Sequence, residues 1–160
     1  MIRPLTETDW PRIKEIFEEG MATGLATLET NAPSKEQWFA SHLSSPMLGA
    51  TDSKDILCGW AALSPVSSRC VYGGVAEVSV YIGAPYHGQG FGKALLCALV
   101  ENSEAAGIWT LQSGILSENQ ASIRLHSSCG FRVVGVREKL GRQGDVWKDI
   151  VLMERRSSII

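Results

Sequence analysis

The sequence of 160 residues predicts an α/β protein, with a mixed, mostly antiparallel sheet flanked by helices. Extended runs separated only by turn residues occupy the middle of the chain, which is typical of an antiparallel meander. Later extended runs alternate with segments of helical periodicity, which indicates strands connected through helices. No internal repeat, low-complexity tract or long linker interrupts this pattern. We therefore expect one domain over residues 1–160.

The N-terminal part predicts a short strand and a helix. Ile2-Arg3-Pro4 suits an edge strand, because proline is tolerated there. Thr8 is expected to cap a helix that ends at Gly20 or Gly24. The apolar face of that helix would comprise Trp10, Ile13, Ile16 and Phe17.

A second helix and the meander follow. Ser34 and Gln37 have the spacing of a capping box, and Pro46 would stop the helix that they begin. The three expected strands are Met47–Ala50, Ile56–Leu63 and Val75–Ile82. Within the third, alternation places Glu77 and Tyr81 on one face.

The C-terminal half predicts two helices between strands. One helix begins near Phe91 and ends at Gly107, and Asn119 caps another that ends before Gly130. The strands expected around them are Trp109–Ile115, Phe131–Arg137 and Val146–Met153.

Composition excludes several classes of protein. With 44% apolar and 20% charged residues the chain is ordinary for a globular protein, and its formal charge of −2 does not favour nucleic acid or anionic lipid. No apolar run reaches the length of a membrane span, and the first residues do not begin a signal peptide, so we expect a cytoplasmic protein without a membrane partner. The cysteines show no metal-ligand spacing and are expected to be reduced, with no metal site; they are Cys58, Cys70, Cys97 and Cys129.

The most informative segment is a glycine-rich loop between a predicted strand and a predicted helix. It reads His87-Gly88-Gln89-Gly90-Phe91-Gly92-Lys93. Glycines allow close approach of a ligand to the backbone, and the helix start offers unpaired N–H groups to an anion. Gly88 and Gly92 are one residue closer together than the two glycines of a mononucleotide P-loop. The glycines are also not spaced as in the dinucleotide fingerprint G-x-G-x-x-G. An anion-binding loop of another kind, or a turn that binds nothing, remains.

Three segments of the chain form a combined pattern. They are Ala76-Glu77-Val78-Ser79-Val80-Tyr81-Ile82, the motif His87-x-x-Gly90-x-Gly92, and Asn119-x-x-Ser122-x-x-Leu125-His126-x-x-x-Gly130-Phe131. Together they resemble the GCN5-related N-acetyltransferase superfamily, and most of all its phosphinothricin acetyltransferase group. The resemblance implies the fold of that superfamily, with about seven strands and four helices. It also implies direct transfer of acetyl from acetyl-CoA to the α-amine of a small amino acid or analogue, in a homodimer.

The resemblance assigns roles to individual residues. Glu77 would be the general base for the amine, and His126 stands where many relatives carry a tyrosine that protonates the leaving thiolate. Contacts to the cofactor are implied for Val80, Ile82, His87, Gly88, Gln89, Gly90, Phe91, Gly92, Lys93, Asn119 and Ser122. Contacts to the acceptor are implied for Leu28, Glu29, Arg69 and Tyr72, with Arg69 as the partner of an α-carboxylate.

Two alternatives stay open on the sequence. One is an acetyltransferase for a different amine, such as a protein N-terminus, a polyamine or an aminoglycoside. The other is a module that binds acyl-CoA without turnover.

Overall fold

The computed structural model describes all 160 residues and contains seven strands and four α-helices. The strands are β1 (Ile2–Pro4), β2 (Met47–Thr51), β3 (Leu57–Pro65), β4 (Val75–Ile82), β5 (Thr110–Leu116), β6 (Arg132–Gln143) and β7 (Val146–Arg156). The helices are α1 (Trp10–Ala22), α2 (Lys35–Ser41), α3 (Phe91–Ala105) and α4 (Gln120–Ser128). All strands join one sheet in the order β1-β2-β3-β4-β5-β7-β6. The predicted fold class is confirmed, and none of the helices has the length and hydropathy to cross a bilayer.

Both predicted N-terminal helices are present, but the cap of α1 and the end of α2 differ from the prediction. Thr8 does not cap α1, because it lies inside a short 3-10 turn, Glu7–Asp9, that leads directly into the helix. The capping box of α2 is present: the Gln37 amide donates to Ser34 Oγ over 3.2 Å, and the Ser34 amide donates to Gln37 Oε1 over 3.0 Å. This helix ends at Ser41, well before Pro46, because the Leu43 amide already donates to the Leu63 carbonyl of the sheet.

The C-terminal hairpin is longer than predicted. β6 continues to Gln143 and β7 to Arg156, through residues that are mostly charged or polar. The register of the pair shifts between Arg137 and Gly141, where Lys139 has a positive φ of 49°. A bulged edge strand needs no apolar alternation, so its sequence did not indicate its length.

The sheet divides between β4 and β5. These parallel strands pair only from Val75 to Glu77 and from Thr110 to Gln112. Beyond that point β4 stays paired with β3 as far as Ile82, and β5 stays paired with β7 as far as Leu116. The two strands therefore part, and the backbone edges that face each other in the split are not paired with one another.

Helices cover both faces of the sheet. Alternate residues of β3 point to opposite sides: Ala61 and Leu63 join the cluster under α3, whereas Trp60 joins the cluster under α1 and α2. Trp60 is 1% exposed, and its Nε1 donates to the Ile13 carbonyl over 3.2 Å. The split between β4 and β5 thus opens between two packed layers, which hold its walls in place.

Candidate active site

A cavity of about 620 Å³ occupies the split in the sheet. One wall is β4 from Glu77 to Tyr81, and the opposite wall is β5 from Ser113 to Leu116. The loop between α1 and α2 and one side of α4 complete the lining, the loop through residues 25–29. The cavity therefore brings together residues that lie far apart in the sequence.

Glu77 lies at the point where the strands part. It is the last residue of β4 that pairs with β5, opposite Gln112. Its carboxylate reaches toward β5, since a Cβ placed on Gly114 would lie 3.9 Å from Glu77 Oε1. The side chain is half-buried and makes no hydrogen bond or ion pair within the protein. A carboxylate left free in a cavity in this way is available to accept a proton from a bound molecule.

The edge of β4 provides the two backbone positions that the resemblance implies for the cofactor. Val80 lines the cavity, whereas Ile82 lies beyond its end. The Ile82 carbonyl is already engaged, because His87 Nε2 donates a hydrogen bond to it over 2.8 Å. An extended ligand laid along this edge would act as an added strand, with the hydrogen bonds supplied by the backbone.

The glycine-rich loop presents free donors at the start of α3. The six backbone N–H groups from Gly88 to Lys93 donate no hydrogen bond within the protein. Gly88 and Gly90 have φ of +73° and +88°, and a Cβ on either would meet no atom within 4 Å. Open space and unpaired donors at the positive end of a 15-residue helix are the conditions for binding a diphosphate.

Most side chains of this loop make contacts within the protein that stabilise the conformation of the loop. His87 holds the Ile82 carbonyl, and Gln89 Nε2 donates to the Pro85 carbonyl over 3.0 Å. Phe91 packs edge-on against Tyr86, with ring centroids 5.8 Å apart. A Cβ on Gly92 would lie 3.3 Å from Leu125 of α4, so this glycine permits the close packing of the two helices. The charge that remains for a ligand is the ammonium of Lys93, which is exposed and in no ion pair.

Asn119 caps α4 as predicted and also holds the loop on the other side of the cavity. Its Oδ1 accepts from the Ser122 amide over 3.2 Å. Its Nδ2 donates to the Leu25 carbonyl over 3.2 Å, across 94 residues of sequence. Asn119 and Ser122 both line the cavity, so the cap itself forms part of the wall. Nothing in the local sequence around Asn119 indicated its contact with the α1–α2 loop.

His126 lines the cavity from α4 in a defined tautomer. Its Nδ1 lies 2.8 Å from the Ser122 carbonyl, which can only accept, so Nδ1 carries the proton. The ring is 4% exposed, and Nε2 is buried without a partner. Burial lowers the pKa of His126 below its usual value. At neutral pH this side chain therefore offers a lone pair at Nε2, and it can donate a proton there only as imidazolium.

The side of the cavity next to the α1–α2 loop has aromatic walls and one exposed carboxylate. Trp60 stacks on Tyr81 with ring centroids 4.8 Å apart, and Trp38 lies edge-on to Trp60 at 5.1 Å. Burial raises the pKa of Tyr81 to about 12, so its hydroxyl stays protonated. Leu28 and Glu29 line the cavity, with Glu29 exposed. The geometry suits a small molecule that carries a cationic group and an apolar side chain.

Two predicted acceptor residues are not brought to this cavity. Tyr72 ends an exposed 3-10 turn between β3 and β4, Arg69 directly precedes that turn, and neither lines the cavity. The Arg69 guanidinium instead lies 5.5 Å from the centre of the Tyr72 ring. Both lie in the connection between β3 and β4, beyond the Pro65–Ala76 pair that ends the ladder of these strands.

The split sheet, its free carboxylate and its donor-rich loop define a class of acyl-group transferases. Residues 1–132 match the family described as the acetyltransferase (GNAT) domain. The chain belongs to this family and is an N-acetyltransferase.

The chain is similar over nearly its full length to several known acetyltransferases. The chain is 28% identical over 158 residues to an L-methionine sulfoximine/L-methionine sulfone acetyltransferase of Pseudomonas paraeruginosa, covering 96% of this chain and 92% of that one. A phosphinothricin acetyltransferase from Sinorhizobium meliloti, solved in complex with acetyl-CoA, superposes with a TM-score of 0.88 at 29% identity, covering 98% and 87%. A ribosomal-protein-alanine N-acetyltransferase from Brucella melitensis superposes with a TM-score of 0.91 at 28% identity, covering 98% and 99%.

Proposed function

We propose that this protein transfers acetyl from acetyl-CoA to the α-amine of a small amino acid or analogue. The names of the similar proteins support acceptors of the phosphinothricin, methionine sulfone and methionine sulfoximine type. Transfer would be direct, with both substrates bound in one ternary complex.

One observation carries the proposal. The sheet opens between β4 and β5 at Glu77, and the donors of Gly88–Lys93 lie at the far end of the same strand. A long thioester bound by its diphosphate at the loop would extend along the β4 edge toward the carboxylate. An amine that enters from the α1–α2 side would meet it there.

Residues of the glycine-rich loop, β4 and α4 would together hold acetyl-CoA. The backbone N–H groups of Gly88–Lys93 would hold the diphosphate, with the charge of Lys93 beside them. Val80 and the amide of Ile82 would hold the pantetheine arm, with Asn119 and Ser122 on the opposite side. His87 and Gln89 would keep the loop in shape, and Phe91 would support its turn.

The chemistry requires a proton to leave the amine and another to reach the thiolate. Glu77 has no internal partner and can accept the proton of the ammonium, directly or through one water. His126 can return a proton to the thiolate only after Nε2 is protonated, which its lowered pKa disfavours. Its contribution to turnover should therefore decline as the pH rises. Leu28 and Glu29 would contact the acceptor; the proposal does not depend on Arg69 or Tyr72, which lie outside the cavity.

A coupled assay tests the function. Purified protein is given acetyl-CoA with a panel of amino acids, their sulfone and sulfoximine analogues, polyamines and aminoglycosides, and release of free thiol is followed. We expect turnover with α-amino acids and little with the polycations. Binding of acetyl-CoA without thiol release on any amine would instead support a binding module.

A protein N-terminus is a second candidate acceptor. The Brucella melitensis structure, named for ribosomal-protein alanine, supports it, since it is as similar in sequence and covers nearly the whole chain. A peptide needs a cavity that is open toward its second residue, whereas a free amino acid needs a partner for its carboxylate. Comparing an amino acid with a peptide that begins with the same residue separates the two candidates.

We also propose a cytoplasmic homodimer. Apolar side chains of the β6–β7 hairpin are exposed to solvent, and a second copy would cover them; they are Val133, Val134, Val136, Leu140, Val146 and Trp147. All four cysteines are free, as is usual in a reducing compartment. Light scattering should give the mass of a dimer for the wild type and a lower mass for Trp147→Lys. Val71→Lys, exposed at another place, is the matched control and should leave the mass unchanged.

A further inference from the structure

Two of the four cysteines lie together at the contact between α3 and α4. Cys97 is in the middle of α3 and Cys129 directly follows α4, and their sulfur atoms are 3.2 Å apart. The other two are separate: Cys58 is buried in the sheet and Cys70 is exposed. The sequence indicated four isolated thiols without a redox role, because 32 residues separate this pair along the chain.

Both thiols are accessible to a small molecule, and the packing of α3 against α4 keeps them close together. Both side chains are partly exposed, so a small oxidant can reach them. The helices are packed closely here, since a Cβ on Gly92 would lie 3.3 Å from Leu125. A disulfide bond of about 2.05 Å requires the sulfur atoms to approach by only about 1.2 Å. Rotation of the two side chains, with a small shift of the helices, can supply this.

We propose that Cys97 and Cys129 are a modification site, at which a small disulfide such as glutathione disulfide converts the two thiols into an intramolecular disulfide. The Cys97 thiolate attacks one sulfur of the oxidant, forms a mixed disulfide and releases one small thiolate. The Cys129 thiolate then attacks the Cys97 sulfur and releases the second. The protein loses two protons and two electrons, and the oxidant becomes two thiols.

The order of attack follows from the environments of the thiols. Burial raises the pKa of Cys129 to about 11, and its neighbour Cys97 adds to the rise, while the Ser128 hydroxyl and the charge of Lys93 oppose it. A thiol of that pKa is a poor first nucleophile but can resolve a mixed disulfide held beside it, because the two groups are already in contact. Formation of the bond should therefore be faster at higher pH.

The cross-link would join the helix that begins at the glycine-rich loop to the helix that carries Asn119, Ser122 and His126. Both helices contribute to the proposed acetyl-CoA site, but the inference about the thiols does not rest on that function. A closed loop of 32 residues restricts the unfolded chain and should raise the melting temperature by roughly 10 °C.

The test uses the full chain with the exposed thiol removed, as Cys70→Ser. The native protein is treated with glutathione disulfide, unreacted thiols are alkylated, and peptides are mapped without reduction. We expect a peptide joined at Cys97 and Cys129, a loss of two free thiols, the higher melting temperature, and reversal of all three by dithiothreitol. Adding Cys97→Ser or Cys129→Ser should leave at most a glutathione adduct.

Other results would overturn the inference. Stable glutathione adducts on the native protein with no joined peptide would show that the second thiol cannot attack. No reaction, or a bond that involves Cys58, would show that the pair is not the reactive site. Each result is obtained with the Cys70→Ser protein itself and is therefore independent of whether the further variants fold.

Discussion

Replacing Gly90 with valine tests whether the loop before α3 binds the diphosphate of acetyl-CoA. Gly90 is the N-cap residue of α3 and has φ of +88°. A Cβ there would meet no atom within 4 Å, so the substitution acts through the backbone and not through a clash. A β-branched residue is strongly disfavoured at positive φ, and the loop is expected to relax toward negative φ. The N–H groups that follow would then no longer point toward the proposed diphosphate site.

The expected magnitudes follow from the free donors. Hydrogen bonds to charged groups contribute about 1.5–3 kcal/mol each, so loss of one of the six weakens acetyl-CoA binding by roughly 10- to 100-fold. The strain of the substituted residue costs about 1–3 kcal/mol of stability. This lowers the melting temperature by roughly 2–10 °C in a chain of this length.

Gly107, after the other end of α3, supplies a matched control. Its φ is +82°, and a Cβ there also meets no atom within 4 Å. Gly107→Val should therefore lower the melting temperature by a similar amount while leaving acetyl-CoA affinity unchanged. Isothermal calorimetry with acetyl-CoA and a thermal melt on both variants measure the two effects. Equal affinities of the Gly90 and Gly107 variants would refute the assignment of the loop as the diphosphate site.

Three further substitutions test the remaining parts of the site. Glu77→Gln should keep acetyl-CoA affinity but lower kcat by roughly 10²- to 10⁴-fold, most strongly at low pH where the amine is hardest to deprotonate, whereas Glu101→Gln on the exposed face of α3 should change neither. Unchanged turnover of the Glu77 variant across pH would exclude a general-base role. Arg69→Ala should change the KM of an amino acid and of its amide in the same ratio, because Arg69 lies outside the cavity; a selective rise for the carboxylate would place it in the acceptor site. The pKa of His126 is lowered by burial, so the unfolded state binds its proton more readily: the associated stability is present above about pH 6.5 and is lost as the pH falls through the folded-state pKa. His126→Gln should therefore show a smaller fall in melting temperature between neutral and acidic pH than the wild type; equal falls in the two proteins would contradict the buried neutral imidazole.

Local patterns predicted most of the elements correctly. The capping box at Ser34 and Gln37, the cap at Asn119 and the strand Val75–Ile82 are all present. Each depends on residues within a few positions of one another, so a short stretch of sequence contains the information. The error at Thr8 is also local, since a 3-10 turn and a helix cap use the same kinds of residue.

Some relations within the candidate site could be inferred from the sequence and others could not, because only short-range relations are contained in a short stretch of sequence. Glu77 and the glycine-rich loop lie on one strand and the turn after it, so their relation could be inferred along the chain. The resemblance implied that Arg69 binds the acceptor, but Arg69 lies at an exposed turn and does not line the cavity. The tautomer of His126 depends on which acceptor faces Nδ1, and no sequence pattern specifies that.

The sequence by itself determined the class of fold, the order of its elements and the motif that resembles acetyltransferases, because periodicity, caps and glycine conformations are short-range properties. Only the tertiary structure decided that β4 and β5 part after Glu77, that Asn119 holds the loop at Leu25, and that Cys97 meets Cys129. These contacts join residues at least 32 positions apart. They exist because helices packed on both faces of a twisted sheet bring distant segments together, and the packing of the whole chain sets which residues meet.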